Sequence, residues 1–162
     1  MTEDYSVRIS KDHLVFSVAH FITLDSKTCE SLHGHGYRVS AEIFGPLGKN
    51  HYVVDFILLR DTLKTIVDEL DHHVLLPSKS NSIRLSQQSD EITVLFKERR
   101  WVFPKSDCLV LPIESTTTEC LARYVADSLF ERLEGKVRAA IKGIEVEVDE
   151  CYGQSAICRI SL

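Results

Sequence analysis

Alternating apolar and polar residues predict two long strands in the first third of the chain. Residues 5–22 alternate except near Lys11 and Asp12, where we expect a turn or a bulge. Residues 34–44 alternate again, and the polar segment 23–33 is expected to be the loop that joins the two strands. Within each strand, side chains of one parity are expected to face the core.

A repeat of apolar positions every three or four residues predicts two helices. Asp55 is a good N-cap for a first helix that runs to about Leu70. Thr116 and Glu119 match a capping box, and the helix that follows them is expected to run to about Leu133.

Shorter segments complete an α+β pattern. Residues 92–96 and 101–103 indicate a hairpin, whereas residues 144–150 and 154–161 indicate the last two strands. Residues 78–90 are polar and are expected to form a flexible loop. The order strand, strand, helix, hairpin, helix, strand, strand predicts one α+β domain with helices on one face of an antiparallel sheet.

Composition narrows the class of protein. A chain of 162 residues can bury one core, and a net charge of −5 argues against general nucleic-acid binding. No run of about 18 apolar residues predicts a membrane span, and the N-terminus does not resemble a signal peptide. Five cysteines without a Cys-x-x-Cys pair do not suggest a disulfide framework. We therefore expect a cytoplasmic protein with free thiols.

Three histidines form the most informative pattern in the sequence. His33 and His35 are two residues apart, so in an extended chain both rings point to the same side. They share parity with apolar residues such as Tyr37, and His20 shares parity with Val18. Unpaired rings facing a core are costly, and a metal ion would satisfy all three. Three neutral nitrogen ligands with an open fourth position are typical of catalytic zinc, although a lone His-x-His is often coincidental.

Glu150 breaks the alternation of its strand. Residues 144, 146 and 148 are apolar, and Glu150 falls on the same side. Either the strand ends at Asp149 and Glu150 turns to solvent, or its carboxylate is partly buried and binds a ligand. A buried carboxylate needs paired N–H donors, which the guanidine-like edge of a heterocycle offers.

Candidate bases lie before the histidine pair and at the end of the first helix. Cys29, four residues before His33, is a candidate base or nucleophile because a nearby metal ion lowers the pKa of a thiol. It could instead be a fourth metal ligand or an ordinary loop residue. Glu30 could reach the same site or face solvent. Asp71 and His72 could form a carboxylate–imidazole pair, although adjacent Asp-His pairs are common.

Several segments together resemble the 6-pyruvoyltetrahydropterin synthase and 6-carboxytetrahydropterin synthase family. In family order they are residues 16–20 (FSVAH), 29–37 (CESLHGHGY), 54–56 (VDF), 70–72 (LDH), 117–119 (TTE) and 148–150 (VDE). The first two segments are specific in combination, whereas the later ones are individually weak but occur in the expected order.

The resemblance implies the tunnelling fold, in which each subunit has a four-stranded antiparallel sheet with two helices on one face. It also implies a homohexamer, built from two stacked trimers, with active sites at the subunit interfaces. Residues 78–113 are longer than the link in compact members of the family, so this segment is expected to be an extra hairpin insertion.

The resemblance also implies roles for the candidate residues. The implied zinc ligands are three imidazoles: His20, His33 and His35. The implied proton-transfer group is a thiol with a carboxylate–imidazole pair: Cys29, Asp71 and His72. The implied pterin-binding residues are a carboxylate and its neighbours: Glu150, Thr117, Thr118 and Glu119.

The loop motif combines features of two branches of this family. The spacing from Cys29 to His33 resembles the branch that forms 6-carboxy-5,6,7,8-tetrahydropterin for deazapurine and queuosine synthesis. Glu30 resembles the residue of another branch, where glutamate replaces the cysteine and the product is 6-hydroxymethyl-7,8-dihydropterin, a folate-type precursor.

Our leading expectation is a zinc-dependent lyase that converts 7,8-dihydroneopterin triphosphate to 6-carboxy-5,6,7,8-tetrahydropterin. The same scaffold could instead form 6-hydroxymethyl-7,8-dihydropterin or 6-pyruvoyltetrahydropterin. Two other classes stay open: a three-histidine zinc hydrolase with Glu30 as its base, and a non-catalytic zinc-binding module with Cys29 as fourth ligand.

Overall fold

A computed structural model describes residues 3–151 and 153–162, and these residues form nine strands and three α-helices. The strands are β1 (Tyr5–His20), β2 (His33–Gly45), β3 (Val74–Pro77), β4 (Arg84–Gln88), β5 (Glu91–Phe96), β6 (Arg99–Pro104), β7 (Cys108–Leu111), β8 (Gly143–Glu150) and β9 (Gln154–Ser161). The helices are α1 (Phe56–Leu70), α2 (Thr118–Arg132) and α3 (Gly135–Ala140), with a 3-10 turn at Lys105–Asp107.

The main sheet has six strands in the order β7-β3-β1-β2-β8-β9. Its antiparallel part, β1-β2-β8-β9, corresponds to the four strands expected from the resemblance. The four-stranded description was nevertheless wrong, because β3 pairs in parallel with β1 and with β7. These two strands have only four residues each and no alternation, so their pairing depends on tertiary contacts rather than on a local pattern.

A second sheet is formed by the insertion. Its strand order is β4-β5-β6, and β5 and β6 form the predicted hairpin. The prediction of a loop over residues 78–90 was wrong at β4, whose sequence, RLSQQ, is largely polar and exposed. β4 is ordered by antiparallel pairing with β5, which composition alone does not indicate.

Helices α1 and α2 pack against the main sheet across the larger of two hydrophobic cores. Asp55 caps α1 as predicted, accepting hydrogen bonds from the amides of Ile57 and Leu58. The N-cap of α2 is Thr117 rather than the predicted Thr116, which is buried below it. The short helix α3 was not predicted. None of the described helices is long and apolar enough to cross a membrane.

A bulge in β1 determines which side chains face this core. Ser10 pairs with Ser40, but Val15 pairs with Arg38, so the sum of the paired residue numbers changes from 50 to 53 across the irregularity. Because that change is odd, the inward parity of β1 switches from odd to even residues while β2 continues unchanged. The predicted interruption near Lys11 is confirmed, and it turns the even-numbered residues after it toward the core.

Candidate active site

The bulge brings the three predicted histidines onto one face of the sheet. His20 lies directly opposite His33, and His35 lies opposite Val18. The ring centroid of His33 is 4.8 Å from the centroids of both His20 and His35, and the centroids of His20 and His35 are 5.4 Å apart. One ring nitrogen from each histidine lies within 4.8 Å of the other two. This arrangement could hold a metal ion.

Hydrogen bonds at Nδ1 orient two of the rings. His20 Nδ1–H donates to the carbonyl oxygen of Thr116 at 3.1 Å, and His33 Nδ1–H donates to that of Ser31 at 2.7 Å. A carbonyl only accepts, so each ring carries its proton on Nδ1 and leaves Nε2 unprotonated, as a metal ligand must be. The Nε2 atom of His20 also lies 3.3 Å from the Tyr37 hydroxyl. Burial lowers the pKa of His20 despite its bond to Thr116, which favours the neutral imidazole that metals require.

Glu150 lies beside this cluster as a partly buried carboxylate. Its side chain is 17% exposed, and Oε1 is 3.4 Å from His35 Nε2. Thr118 Oγ1 donates to Oε2 at 2.9 Å, and the Tyr37 hydroxyl donates to the same oxygen at 3.3 Å. Burial and the Glu150 charge raise the pKa of Tyr37, so the phenol stays protonated and remains a donor. The partly buried alternative is confirmed, whereas the role of Glu150 in ligand binding stays a prediction.

A cavity of about 260 Å³ opens next to the Glu150 carboxylate. It is lined by the start of α2 and by the β8–β9 hairpin: Thr118, Glu119, Glu150, Gln154, Ser155 and Ala156. Three of the four predicted pterin-binding residues therefore surround one cavity. The fourth, Thr117, caps α2 by accepting a hydrogen bond from the amide of Cys120.

Cys29 and Glu30 have different neighbours. Cys29 packs against the smaller core, and its thiol donates to the carbonyl oxygen of Glu30 at 3.4 Å. Burial raises the pKa of Cys29, against an opposing effect of the Arg99 charge, and the lowering expected from a nearby metal ion stays a prediction. Glu30 Oε2 lies 3.8 Å from His33 Nε2. This oxygen is buried without a hydrogen-bond partner among the described residues.

Asp71 and His72 form the expected carboxylate–imidazole pair. Asp71 Oδ2 is 2.8 Å from His72 Nδ1, and Oδ1 accepts from the Ser17 amide at 2.7 Å. Burial alone would raise the pKa of Asp71, but the hydrogen bonds from Ser17 and His72 outweigh that effect. The pKa of Asp71 is therefore below its ordinary value, and the carboxylate stays ionised. Ser17 precedes His20 by three residues, or about 10 Å along a strand. The His72 side chain is 83% exposed, so the pair lies apart from the histidine cluster.

Sequence reasoning missed several residues that shape the site. Tyr37 had been counted only as a core position, and Thr116 only as a helix cap. Ser31 and Cys151 give no sequence signal for their contacts with the histidines, although Cys151 Sγ is 3.2 Å from His35 Nδ1. These contacts depend on how distant segments meet, so only a correct fold could have predicted them.

The model of one protein family, described as 6-pyruvoyl tetrahydropterin synthase, matches residues 8–160 of the chain. This chain belongs to that family. The assignment makes the protein a lyase of the pterin-synthase type and confirms the resemblance inferred from the motifs.

Two relatives of the chain in this family carry different names. A Methanocaldococcus jannaschii protein, provisionally named 6-carboxy-5,6,7,8-tetrahydropterin synthase, is 35% identical over 147 residues, which are 90% of each chain. A Pyrococcus furiosus protein named dihydroneopterin monophosphate aldolase is 31% identical over 84 residues, covering 52% of this chain and 67% of that protein.

Solved structures of 6-pyruvoyltetrahydropterin synthase from Plasmodium vivax share the fold of this chain. The TM-score is 0.92 at 27% sequence identity, with 99% of this chain and 100% of the other covered. Two of these structures are variants in which a catalytic glutamate is replaced by alanine or by cysteine. The agreement over nearly the whole chain shows that the insertion is shared with these structures.

Proposed function

We propose that this protein is a zinc-dependent lyase that converts 7,8-dihydroneopterin triphosphate to 6-hydroxymethyl-7,8-dihydropterin, with Glu30 as the general base. The observation that carries the proposal is Glu30 Oε2, which lies 3.8 Å from His33 Nε2 and lacks a hydrogen-bond partner among the described residues. This oxygen is itself buried, although the Glu30 side chain as a whole is 37% exposed. A buried oxygen without a donor is costly, and a substrate hydroxyl would supply one. The P. vivax 6-pyruvoyltetrahydropterin synthase has a catalytic glutamate, which supports a glutamate as the catalytic group here. The P. furiosus relative is named dihydroneopterin monophosphate aldolase, which supports cleavage of the pterin side chain.

The histidine cluster suits zinc because it offers three neutral imidazoles and leaves a fourth position open. The ligands would be His20, His33 and His35 through their Nε2 atoms, with Nδ1 of the first two fixed by backbone carbonyls. When bound, zinc would polarise the side-chain oxygens of the substrate and lower the pKa of its hydroxyl groups.

Glu150 would bind and orient the pterin ring. Its carboxylate borders the cavity at the start of α2 and can accept the two adjacent N–H groups of the ring edge. Thr118 and Tyr37 already donate to one of its oxygens, which fixes the carboxylate before the substrate arrives. Because Oε1 is also 3.4 Å from His35 Nε2, the bound ring would lie next to the metal site.

The product determines which bond must break. 6-Hydroxymethyl-7,8-dihydropterin keeps only C1′ of the side chain, so the C1′–C2′ bond is cleaved. Glu30 would accept the proton of the 2′-hydroxyl, C2′ would become an aldehyde carbon, and the electron pair of the broken bond would pass into the pterin ring. Protonation of C1′ completes the hydroxymethyl group, and glycolaldehyde triphosphate leaves.

The second candidate product is 6-carboxy-5,6,7,8-tetrahydropterin, the expectation with which we began. The M. jannaschii relative supports it, because the similarity extends over 90% of both chains. So does the spacing from Cys29 to His33. In that reaction Cys29 would act as the base, and its side chain would have to leave the smaller core against which it packs.

The deciding experiment is incubation of the zinc-loaded protein with 7,8-dihydroneopterin triphosphate and identification of the pterin product by mass. We expect 6-hydroxymethyl-7,8-dihydropterin. Glu30→Gln should lower kcat by about 10²–10⁴-fold, the usual contribution of a general base, while Cys29→Ala retains most of the activity. A carboxytetrahydropterin product that persists in Glu30→Gln and disappears in Cys29→Ala would establish the second candidate instead.

We also propose that the protein acts as a homohexamer in the cytoplasm, as the family resemblance implies. In such an assembly the exposed pair of Asp71 and His72 can act at the site of a neighbouring subunit, since within one chain it lies about 10 Å along β1 from the metal-binding rings. The pair would then supply the proton that C1′ receives.

A further inference from the structure

A side chain of the insertion contacts the loop that carries both candidate bases. Arg99 is the first residue of β6, and its Nη1 donates to the carbonyl oxygens of Cys29 at 2.7 Å and Glu30 at 3.1 Å. One nitrogen can reach two consecutive carbonyls only where they converge, so the backbone is turned here rather than extended. The contact joins two segments that are 69 residues apart in sequence.

Stacked rings hold the Arg99 guanidinium in place. Its central carbon lies 4.6 Å from the centroid of the Trp101 ring, which is a cation–π distance. Trp101 stacks on Phe21 with centroids 4.7 Å apart and an angle of 10° between the rings. Phe21 is buried and directly follows His20. Arg99 is therefore connected through two rings to the strand that carries a predicted metal ligand.

The turn at this contact separates the two candidate bases. With both carbonyls directed at Arg99, the Cys29 side chain packs against the smaller core, which includes Trp101 at its edge. The Glu30 side chain leaves in another direction, and its Oε2 approaches His33. The two side chains therefore have different surroundings, and both depend on how the backbone is turned at this contact.

We propose that Arg99 is a positioning residue that determines which of the two bases faces the metal site. By fixing the carbonyls of Cys29 and Glu30, it directs the carboxylate to the substrate and holds the thiol against the edge of the smaller core. The catalytic part of this inference rests on the proposed role of Glu30. The insertion would thus contribute to the choice of product without contacting the substrate.

Steady-state kinetics of Arg99→Ala test the catalytic part. We expect kcat for 6-hydroxymethyl-7,8-dihydropterin to fall by about 10- to 100-fold, because a displacement of about 1 Å can cost a catalytic group about 10²-fold. KM should change little, since the Glu150 cavity is not altered. Arg99→Lys should recover part of the loss, because lysine keeps the charge and a donor but not the planar stack on Trp101. Arg100→Ala, at the next exposed position of β6, is the matched control and should resemble the unchanged protein.

The position of Cys29 can be measured without turnover. Iodoacetamide labelling, followed by peptide mapping to separate Cys29 from the other cysteines, should be about tenfold faster in Arg99→Ala than in Arg100→Ala, since thiol reactivity follows access.

If kcat and the labelling rate of Arg99→Ala both match the control, Arg99 does not position the loop. Loss of bound metal or an increase in KM alone would make its role structural and also overturn the proposal. If the unchanged protein forms no hydroxymethyl product, the proposed function fails, but the labelling comparison still decides whether Arg99 holds the loop.

Discussion

At the histidine cluster, a single hydrogen bond on a ring decides which nitrogen can bind a ligand. The carbonyls of Thr116 and Ser31 hold the Nδ1 protons of His20 and His33, so the Nε2 atoms of these two rings are unprotonated. The site also depends on the bulge in β1. Without the change of parity at the bulge, His20 would lie on the other face of the sheet from His33 and His35.

We predict that His33→Ala and His35→Ala each lose bound zinc, because two imidazoles no longer complete a site that needs three protein ligands. Metal content per chain, measured after gel filtration by mass spectrometry of the metal, tests this. His13→Ala is the control, since His13 lies exposed on the same strand as His20. Full zinc occupancy in either cluster variant would refute the assignment of these ligands.

A second residue-scale prediction concerns Glu150. Glu150→Gln should weaken binding of a pterin product by about 10- to 150-fold, because hydrogen bonds to a charged group are worth about 1.5–3 kcal/mol. Zinc content and the unfolding midpoint should not change. Asp149→Asn is the control, since Asp149 is adjacent but points to the opposite face. Equal affinities of the two variants, measured by calorimetry, would mean that Glu150 does not bind the ring.

The sequence predicted the histidine cluster and the partly buried Glu150, since both follow from parity within a strand. It did not predict whether Cys29 or Glu30 faces the histidines. Side-chain direction in a loop has no periodic signal, and here it depends on Arg99 from the insertion. Local patterns identify residues that face a core, whereas contacts between distant segments determine which of two neighbours points into a site.

At the scale of elements, the long strands were predictable from their alternation, and the two long helices from their three-to-four-residue period and their capping residues. β3 and β7 were not, because four apolar residues fit a strand or a buried turn equally well. Their parallel pairing extends the sheet on the β1 side, where β3 begins two residues after His72. The overlooked strands therefore determine where this pair lies.

An ion pair between the two long helices gives a prediction at this scale. Arg132 donates to both oxygens of Glu69, at 2.8 and 2.5 Å. These hydrogen bonds hold the pKa of Glu69 below its ordinary value, despite a smaller opposite effect of burial. Glu69→Gln should lower the free energy of unfolding at pH 7 by less than about 1 kcal/mol, because both side chains are partly exposed.

The sign of the pH dependence follows from the direction of the shift. A carboxyl group with a lowered pKa in the folded state stabilises the protein fully above its unfolded pKa, about 4.3 for Glu. This contribution disappears as the pH falls through the folded pKa. Urea unfolding at pH 7 and at about pH 2 should therefore show a difference between Glu69→Gln and the unchanged protein only at pH 7. A difference in unfolding free energy that persists at about pH 2 would contradict this role of the charge. So would an equal loss of unfolding free energy at pH 7 in Glu131→Gln, which changes the exposed neighbour of Arg132.

At the scale of the whole molecule, the main question is whether one chain contains a complete site. The histidine cluster, Glu30 and Glu150 lie together, but the Asp71 and His72 pair is separate and exposed. β7 and β9 are the outer strands of the main sheet. Outer strands with unpaired backbone groups are suited to pairing with another copy. A shared site in the proposed hexamer would explain why a functional pair lies away from the metal-binding rings.

Complementation between two inactive variants tests this directly. Glu30→Gln and His72→Ala should each be inactive alone. If Glu30 of one subunit acts with His72 of its neighbour, mixed assemblies refolded from equal amounts should recover about a quarter of the unchanged activity, because about one interface in four then combines two intact residues. If both residues act within one subunit, every subunit carries one defect and no mixture recovers activity. Mixing Glu30→Gln with His33→Ala provides the control, since both changes affect the same cluster and should not complement each other in either case.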